Sequence, residues 1–400
     1  MPGSDRIADP AVTPRLPMAA TMALGLVPLA AFGMWFYGFG VVLTPIVDDT
    51  GWRESSLAAA YGAGLLLSGF AGVAAGRVSE RRGAPVVLIG AAVISLGCSW
   101  VIAATDSLLV FAVGAAVAAG VVGGAGYYSM VHSSIARLVP GDRRRAITMN
   151  TLFGAFASVV FLPLLAALTE AFGWRGAIRI GSVIVAVVFA GAALVLDDRG
   201  HPEHHDGGSF LDVLGSIVRV PDRRRLLTSG LVAGASLSVL FLYQVSAMTE
   251  AGLALGTASS LAGARGFLQL GGRLPIPWLG RVLGDRRTMR LALVLLGASL
   301  LVLPGSGSIA VALVFVVLAG LAVGAHSTIE SVVAAEMVGA SRVGTFLGVY
   351  ALVRGISMFL GPSIAGLVTE AADSRTVALV GAAGLAFVAS ILVPRQPAAG

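Results

Sequence analysis

Twelve apolar runs, each about as long as the 20 or so residues that carry a helix across a bilayer, recur along this chain between charges and turn residues. They lie near 20–46, 55–76, 84–104, 108–136, 146–170, 180–196, 226–249, 257–280, 291–304, 309–335, 343–368 and 376–393. In hydrocarbon a segment must satisfy its own backbone polar groups, so such runs are helices. Charged residues make up 12% of the chain, against roughly 25% in soluble domains. Mean hydropathy is +0.89. An all-α membrane protein is expected, with twelve transmembrane helices and the lipid bilayer as solvent.

The net charge of +6 invites a nucleic-acid reading, but the basic residues stand in short clusters between apolar runs. That placement reports topology, and no nucleic-acid partner is expected. With the N-terminus in the cytoplasm, twenty of the 27 Arg fall in cytoplasmic segments and four (Arg53, Arg175, Arg179, Arg375) in the opposite loops. Arg265, Arg273 and Arg354 fall inside predicted spans. The positive-inside rule then makes both termini cytoplasmic. The absence of Lys hints at a GC-rich bacterial gene, hence a multi-pass protein of the bacterial inner membrane. Cys98 is the lone cysteine, which excludes an intrachain disulfide and reads as a small apolar helix residue.

Residues 1–16 read as a cytoplasmic tail, and the apolar run after them is too long for a signal-peptide core. The longest polar stretch, 197–225, holds HPEHHDGGS and an amphipathic SFLDVLGSIVRV, and separates an N-terminal six-helix bundle (17–196) from a C-terminal one (226–394). A cytoplasmic tail at 395–400 completes the division. His201, His204, His205 and Asp206 on the linker read as solvated side chains, so neither a metal nor a cofactor is expected. The two halves echo each other, as in a two-repeat transporter. GRVSERRG (76–83) returns as GRVLGDRR (280–287), and an offset of 199 residues lays Pro163 on Pro362 and Arg143 on Arg342.

These residues resemble the major facilitator superfamily, whose loop signature after the second helix is matched here by Gly76, Glu80, Arg81 and Gly83, with Glu in place of Asp. The second copy supplies Asp285 and Arg286. The resemblance implies two pseudo-symmetric six-helix bundles and a cytoplasmic latch at these loops; a plain topogenic charge cluster is the alternative. GAGYYSMVHSSIARLVPGDRRRA and FLPLLAALTEAFGWRGA look most like the monocarboxylate and oxalate/formate antiporter branch, although the acidic Gly-Trp motif of monocarboxylate carriers is missing from AAFGMWFYGFG. Carriers of the oxalate/formate type grip a carboxylate with one cation on helix 8 and one on helix 11. Carried over, that implies Arg265 and Arg354 here.

The residues themselves point the same way. Arg354 lies about eleven residues from either end of its span, roughly 16 Å, too deep to snorkel. Gln269 follows Arg265 at i+4 on the same helix face, and Arg273 lies nearer the cytoplasm. A guanidinium fork suits a carboxylate, while an internal ion pair is the plainer use of either Arg. His326 and Glu330, also i and i+4, are candidates for proton coupling or for mutual satisfaction. Tyr61, Tyr127, Tyr243 and Tyr350 are candidate cavity-lining groups, with Tyr37, Tyr128, His132 and Gln244 beside them; interfacial packing is the alternative for each.

A secondary transporter of a small organic anion of mono- or dicarboxylate type, working by alternating access with proton coupling or exchange, is therefore expected, as a monomer. A drug or toxic-compound exporter on the same fold is the nearest alternative. It is weakened because FGAFASVVFLPLLAAL lacks the Gly-Pro pair of drug/proton antiporters. A membrane sensor or channel would need a signalling domain or a continuous pore. With no Walker A loop, HExxH or Ser/His/Asp set, the chain is not expected to be an enzyme.

Overall fold

The computed structural model describes residues 18–138, 143–200, 215, 219–338 and 343–395. The tails and His201, His204, His205 and Asp206 of the linker lie outside the described residues. Within them the structure is helical: α1 (Met18–Ala31), α2 (Phe39–Thr50), α3 (Glu54–Arg82), α4 (Ala84–Ile102), α5 (Leu108–Gly126), α6 (Tyr128–Leu138), α7 (Arg143–Ala155) and α8 (Ala157–Val195). Beyond the linker follow α9 (Pro221–Glu250), α10 (Leu255–Arg273), α11 (Ile276–Leu283), α12 (Asp285–Val302), α13 (Ile309–Val338), α14 (Val343–Ala372) and α15 (Arg375–Leu392). Ten stretches are long and apolar enough to cross a membrane. One of them, Ala146–Val195, turns at Gly173 (φ 68°) and supplies two spans. Arg265, Gln269 and Arg273 dilute the hydropathy of α10, which with its successor α11 is the twelfth. The twelve-helix expectation is borne out.

Two breaks within spans and one turn between spans stand out. The first span is interrupted by a π-helical turn, Phe32–Tyr37, which widens the helix and crowds four aromatic side chains into six residues. The fourth breaks at Tyr127 (φ −75°, ψ 168°), between α5 and α6. The predicted gap at 171–179 is helical apart from Gly173, because FGWRGA closes the turn between two spans with a single residue in the left-handed region.

Buried positions are dominated by Ala, Gly and Ser, which let helices approach closely where lipid removes the hydrophobic drive between them. Large apolar side chains such as Val93, Leu109, Val187, Leu194 and Ile391 face outward instead, as a lipid-facing belt requires. Helices α3 and α14 pack along each other, as do α8 and α10, and these pairs join the first six spans to the last six. At Gly62 a β-carbon would stand 2.7 Å from the Phe359 carbonyl oxygen, a backbone atom that cannot swing aside. Gly62→Val should therefore lower stability by about 1–3 kcal/mol, the usual range for overpacking, read as an earlier thermal transition in detergent.

The ends of the bundle differ in charge. One end gathers Arg77, Arg81, Arg82, Arg137, Arg223, Arg224, Arg225, Arg281, Arg286, Arg287 and Arg290, and is called the Arg-rich end below.

Candidate functional site

A cavity of about 450 Å³ lies between the first six spans and the last six. Its lining runs from mid-span residues such as Phe36, Phe241 and Met358 to Tyr128, His132, Arg273 and Ser327, which sit closer to the Arg-rich end. At the opposite end Arg375 gathers carboxylates from both halves, and further contacts cross the same divide. Arg375, at the start of α15, reaches Glu54 through Nη2 at 2.6 Å and Nε at 3.1 Å, and Glu250 through Nη1 at 2.9 Å. The Ser55 amide donates to Glu370 at 2.9 Å, and the Gly256 amide to Glu170 at 3.1 Å.

Arg354 borders the cavity with 28% of its side chain exposed. Its Nη1 donates to Glu330 Oε2 at 2.9 Å, joining adjacent helices α13 and α14. The other Glu330 oxygen accepts the Tyr350 hydroxyl and lies 3.3 Å from His326 Nε2. That last contact is an ionic approach without hydrogen-bond geometry, since neither ring nitrogen of the buried His326 completes a hydrogen bond. Four of the residues singled out in the sequence thus form one cluster: a carboxylate among a guanidinium, an imidazole and a phenol. Such a carboxylate can exchange partners or take a proton once one of them is drawn away.

Arg265 is fully buried and stands apart from that cluster. Its Nε donates to Gln244 at 2.9 Å, while both Nη atoms have no hydrogen-bond partner. The guanidinium carbon lies 5.1 Å from the Phe241 ring and 5.5 Å from the Tyr37 ring, within cation–π range. Phe241 and Tyr37 in turn line the cavity, so the charge sits behind an aromatic screen. Two unpaired donors buried this way are costly unless something negative visits them.

The other sequence candidates scatter. Gln269 lines the cavity, and one turn on so does Arg273, whose Nε and Nη1 are buried without partners. Tyr127 lines it and lies flat on Phe32, with ring centres 4.2 Å apart and planes 9° apart. Tyr61 is buried, donating to the Phe36 carbonyl at 2.8 Å and stacking on Phe39. Tyr243 is buried against Thr369. Neither Tyr61 nor Tyr243 is among the described lining residues. The aromatic wall of Phe32, Phe36 and Phe241 escaped the sequence reading, because Phe in a membrane span is ordinarily packing. Its signal was the crowding of aromatic residues in FGMWFYGF.

At the loop motifs, Gly83 (φ 86°) and its counterpart Gly284 (φ 83°) each turn the chain from one helix directly into the next, a conformation that favours glycine. Glu80 and Arg81 are exposed, and among the described residues they form no ion pair. Gly76 is unobstructed on its helix. The tight contact belongs to Asp198, which accepts from Arg137 Nη2 at 2.7 Å and from the Ala84 amide at 3.0 Å. In the second copy Arg286 donates to the Arg395 carbonyl. Burial, and after it the nearby Asp285 carboxylate, raises the Glu336 carboxyl above its ordinary range.

Comparison with known proteins gives three kinds of likeness. The sequence model described as Major Facilitator Superfamily matches residues 24–248 and 226–399. Monocarboxylate transporter 13 of Rattus norvegicus is 23% identical over 358 residues, covering 88% of this chain and 81% of that protein. Monocarboxylate transporter 12 of Mus musculus is 24% identical over 280 residues, or 60% and 57% of the two chains. Among solved structures, the nucleoside transporter NupG superposes with a TM-score of 0.76 at 13% identity, over 95% of this chain and all of that one. A bacterial homolog of the human lysosomal transporter Spinster, inward-facing and unoccupied, gives 0.74 at 16% identity, over 96% and 100%. At such identities the structures report the fold alone.

Proposed function

Because this chain belongs to the major facilitator superfamily and is an integral membrane transporter of that fold, we propose that it carries a small organic anion through the membrane by alternating access. The observation that carries this reading is the charge of the cavity. Among its described lining residues the charged side chains are Arg273 and Arg354, with Arg265 one aromatic layer behind. Glu330 balances Arg354, so the deep region retains net positive charge. A carboxylate is the ligand a guanidinium fork fits best, and the monocarboxylate transporters in the comparison support that class.

In this reading residues 17–196 and 226–394 are the two bundles, and the Arg-rich end faces the cytoplasm of a bacterial inner membrane. The arrangement described above is the inward-open state, with Arg375 closing the far end. Glu330 is the proton-coupling group or, in an exchanger, the counter-charge that the incoming anion displaces.

Counterflow in proteoliposomes tests the proposal. A panel of carboxylates should drive uptake, and lipophilic cations should not. Counterflow driven by the cations alone would give the site to an exporter of such compounds instead. The closure has its own test. Thr44 lies beside this cluster, its hydroxyl accepting from Arg375 Nη2 at 3.4 Å. Arg375→Gln removes the ion pairs to Glu54 and Glu250, so a cysteine placed at Thr44 in a Cys98→Ser background should react several-fold faster with an impermeant maleimide applied to the Arg-poor face. Unchanged labelling would show that Arg375 does not hold that end closed.

A further inference from the structure

The cavity is divided in chemistry as well as in ancestry. Among the described lining residues the first six spans supply Phe32, Phe36, Tyr37, Tyr127 and Tyr128, and no Arg, Asp or Glu. From the last six the cavity receives Arg273 and Arg354. The aromatic side is already arranged for rings: Phe32 lies flat on Tyr127 at 4.2 Å, Phe36 meets Tyr127 edge-on at 6.0 Å and 89°, and Tyr128 leans on Phe32 at 5.0 Å. The cationic side offers donors to spare. Among the described residues the Arg354 guanidinium bonds Glu330 alone, and Arg273 Nε and Nη1 bond nothing.

Size points the same way. A two- or three-carbon acid displaces about as much as three or four waters, on the order of 100 Å³. The cavity is about 450 Å³, within the range of about 300–1,000 Å³ that holds drug-sized ligands. A small acid on Arg354 would leave the aromatic wall facing water and gain nothing from it. A ring would fill that wall, adding offset or edge-on contacts to rings already so disposed.

We infer that the preferred cargo is an aromatic carboxylate, bound with its ring against the Phe32–Tyr127 stack and its carboxylate on Arg354 and Arg273. This rests on the organic-anion reading and narrows it. The π turn at Phe32–Tyr37 and the break at Tyr127 gain a purpose in this light: each interrupts a regular helix where its aromatic side chains meet the cavity.

The decisive measurement is equilibrium binding and counterflow of benzoate on the purified full chain in proteoliposomes, in competition with acetate, oxalate, cyclohexanecarboxylate and the neutral isostere benzamide. Benzoate should compete at concentrations at least tenfold below acetate and oxalate, and at least tenfold below benzamide. Cyclohexanecarboxylate, equal in size but without a π face, should be several-fold weaker than benzoate. Phe32→Leu should narrow the benzoate-to-acetate ratio to about threefold or less. If that variant does not fold, the wild-type ligand series decides alone. Acetate or oxalate equal to or better than benzoate would overturn the aromatic preference while leaving the anion reading intact. Benzamide equal to benzoate would instead remove the anion reading and this inference with it.

Discussion

Arg354→Gln should abolish carboxylate counterflow, lowering transport at a fixed sub-saturating substrate concentration by at least 30-fold. Truncating one member of a desolvated, hydrogen-bonded charge pair typically costs about 2–5 kcal/mol of binding, and 2 kcal/mol is already a factor of about 30. The substitution keeps a hydrogen-bonding amide opposite Glu330, so folding is expected to survive. The measurement is counterflow of the best carboxylate in proteoliposomes, normalised to protein that elutes as a single peak in detergent. Undiminished counterflow in the folded variant would take Arg354 out of the site and leave Arg273 and Arg265 as the cations to test next.

The second large effect belongs to Glu330, and its two variants separate stability from coupling. Glu330→Ala removes the carboxylate that the Tyr350 hydroxyl donates to and takes the counter-charge from Arg354, in a region where Glu330 itself is only 7% exposed. Breaking a buried pair from one side costs about 3–5 kcal/mol, and about 3 is expected here because Arg354 retains some contact with solvent. Glu330→Gln preserves the shape and one acceptor but cannot take up a proton. In a proton symporter, accumulation driven by a pH gradient should then vanish while exchange of substrate for substrate continues. If the glutamine variant still concentrates substrate against an imposed pH gradient, the proton is carried elsewhere.

Much of this molecule could be read before its structure, for a reason specific to membranes. A helix that must bury every backbone polar group in hydrocarbon advertises its length directly, so the twelve spans needed no knowledge of their neighbours. The same economy exposed Arg354, because a charge eleven residues from either end of a span must find a partner, either an internal counter-charge or a ligand. What remained hidden depends on rotation about helix axes. Nothing local to Arg265 says that Phe241 and Tyr37, from α9 and the π turn, stand between it and the cavity. Nothing local to Glu330 says that its partner lies on α14, 24 residues away. Arg273 looked peripheral because its distance from the span end could be counted but the depth of the cavity could not. Tyr127 was a lone candidate and Phe32 was not singled out; the break that sets one flat on the other costs no apolar residue and so leaves no mark in a hydropathy pattern.

Arg375 holds two carboxylates of different ancestry, Glu54 from the first six spans and Glu250 from the last. In the proposed alternating-access cycle, parting of that end would break the contact with Glu54, while Glu250 could stay with Arg375 and keep the cation paired. The pair that would be lost is largely buried, with side-chain exposures of 14% and 10%, so mobile ions screen it far less than an exposed pair. In the proposed cycle the closure of that end should therefore hold at high salt much as it does in dilute medium.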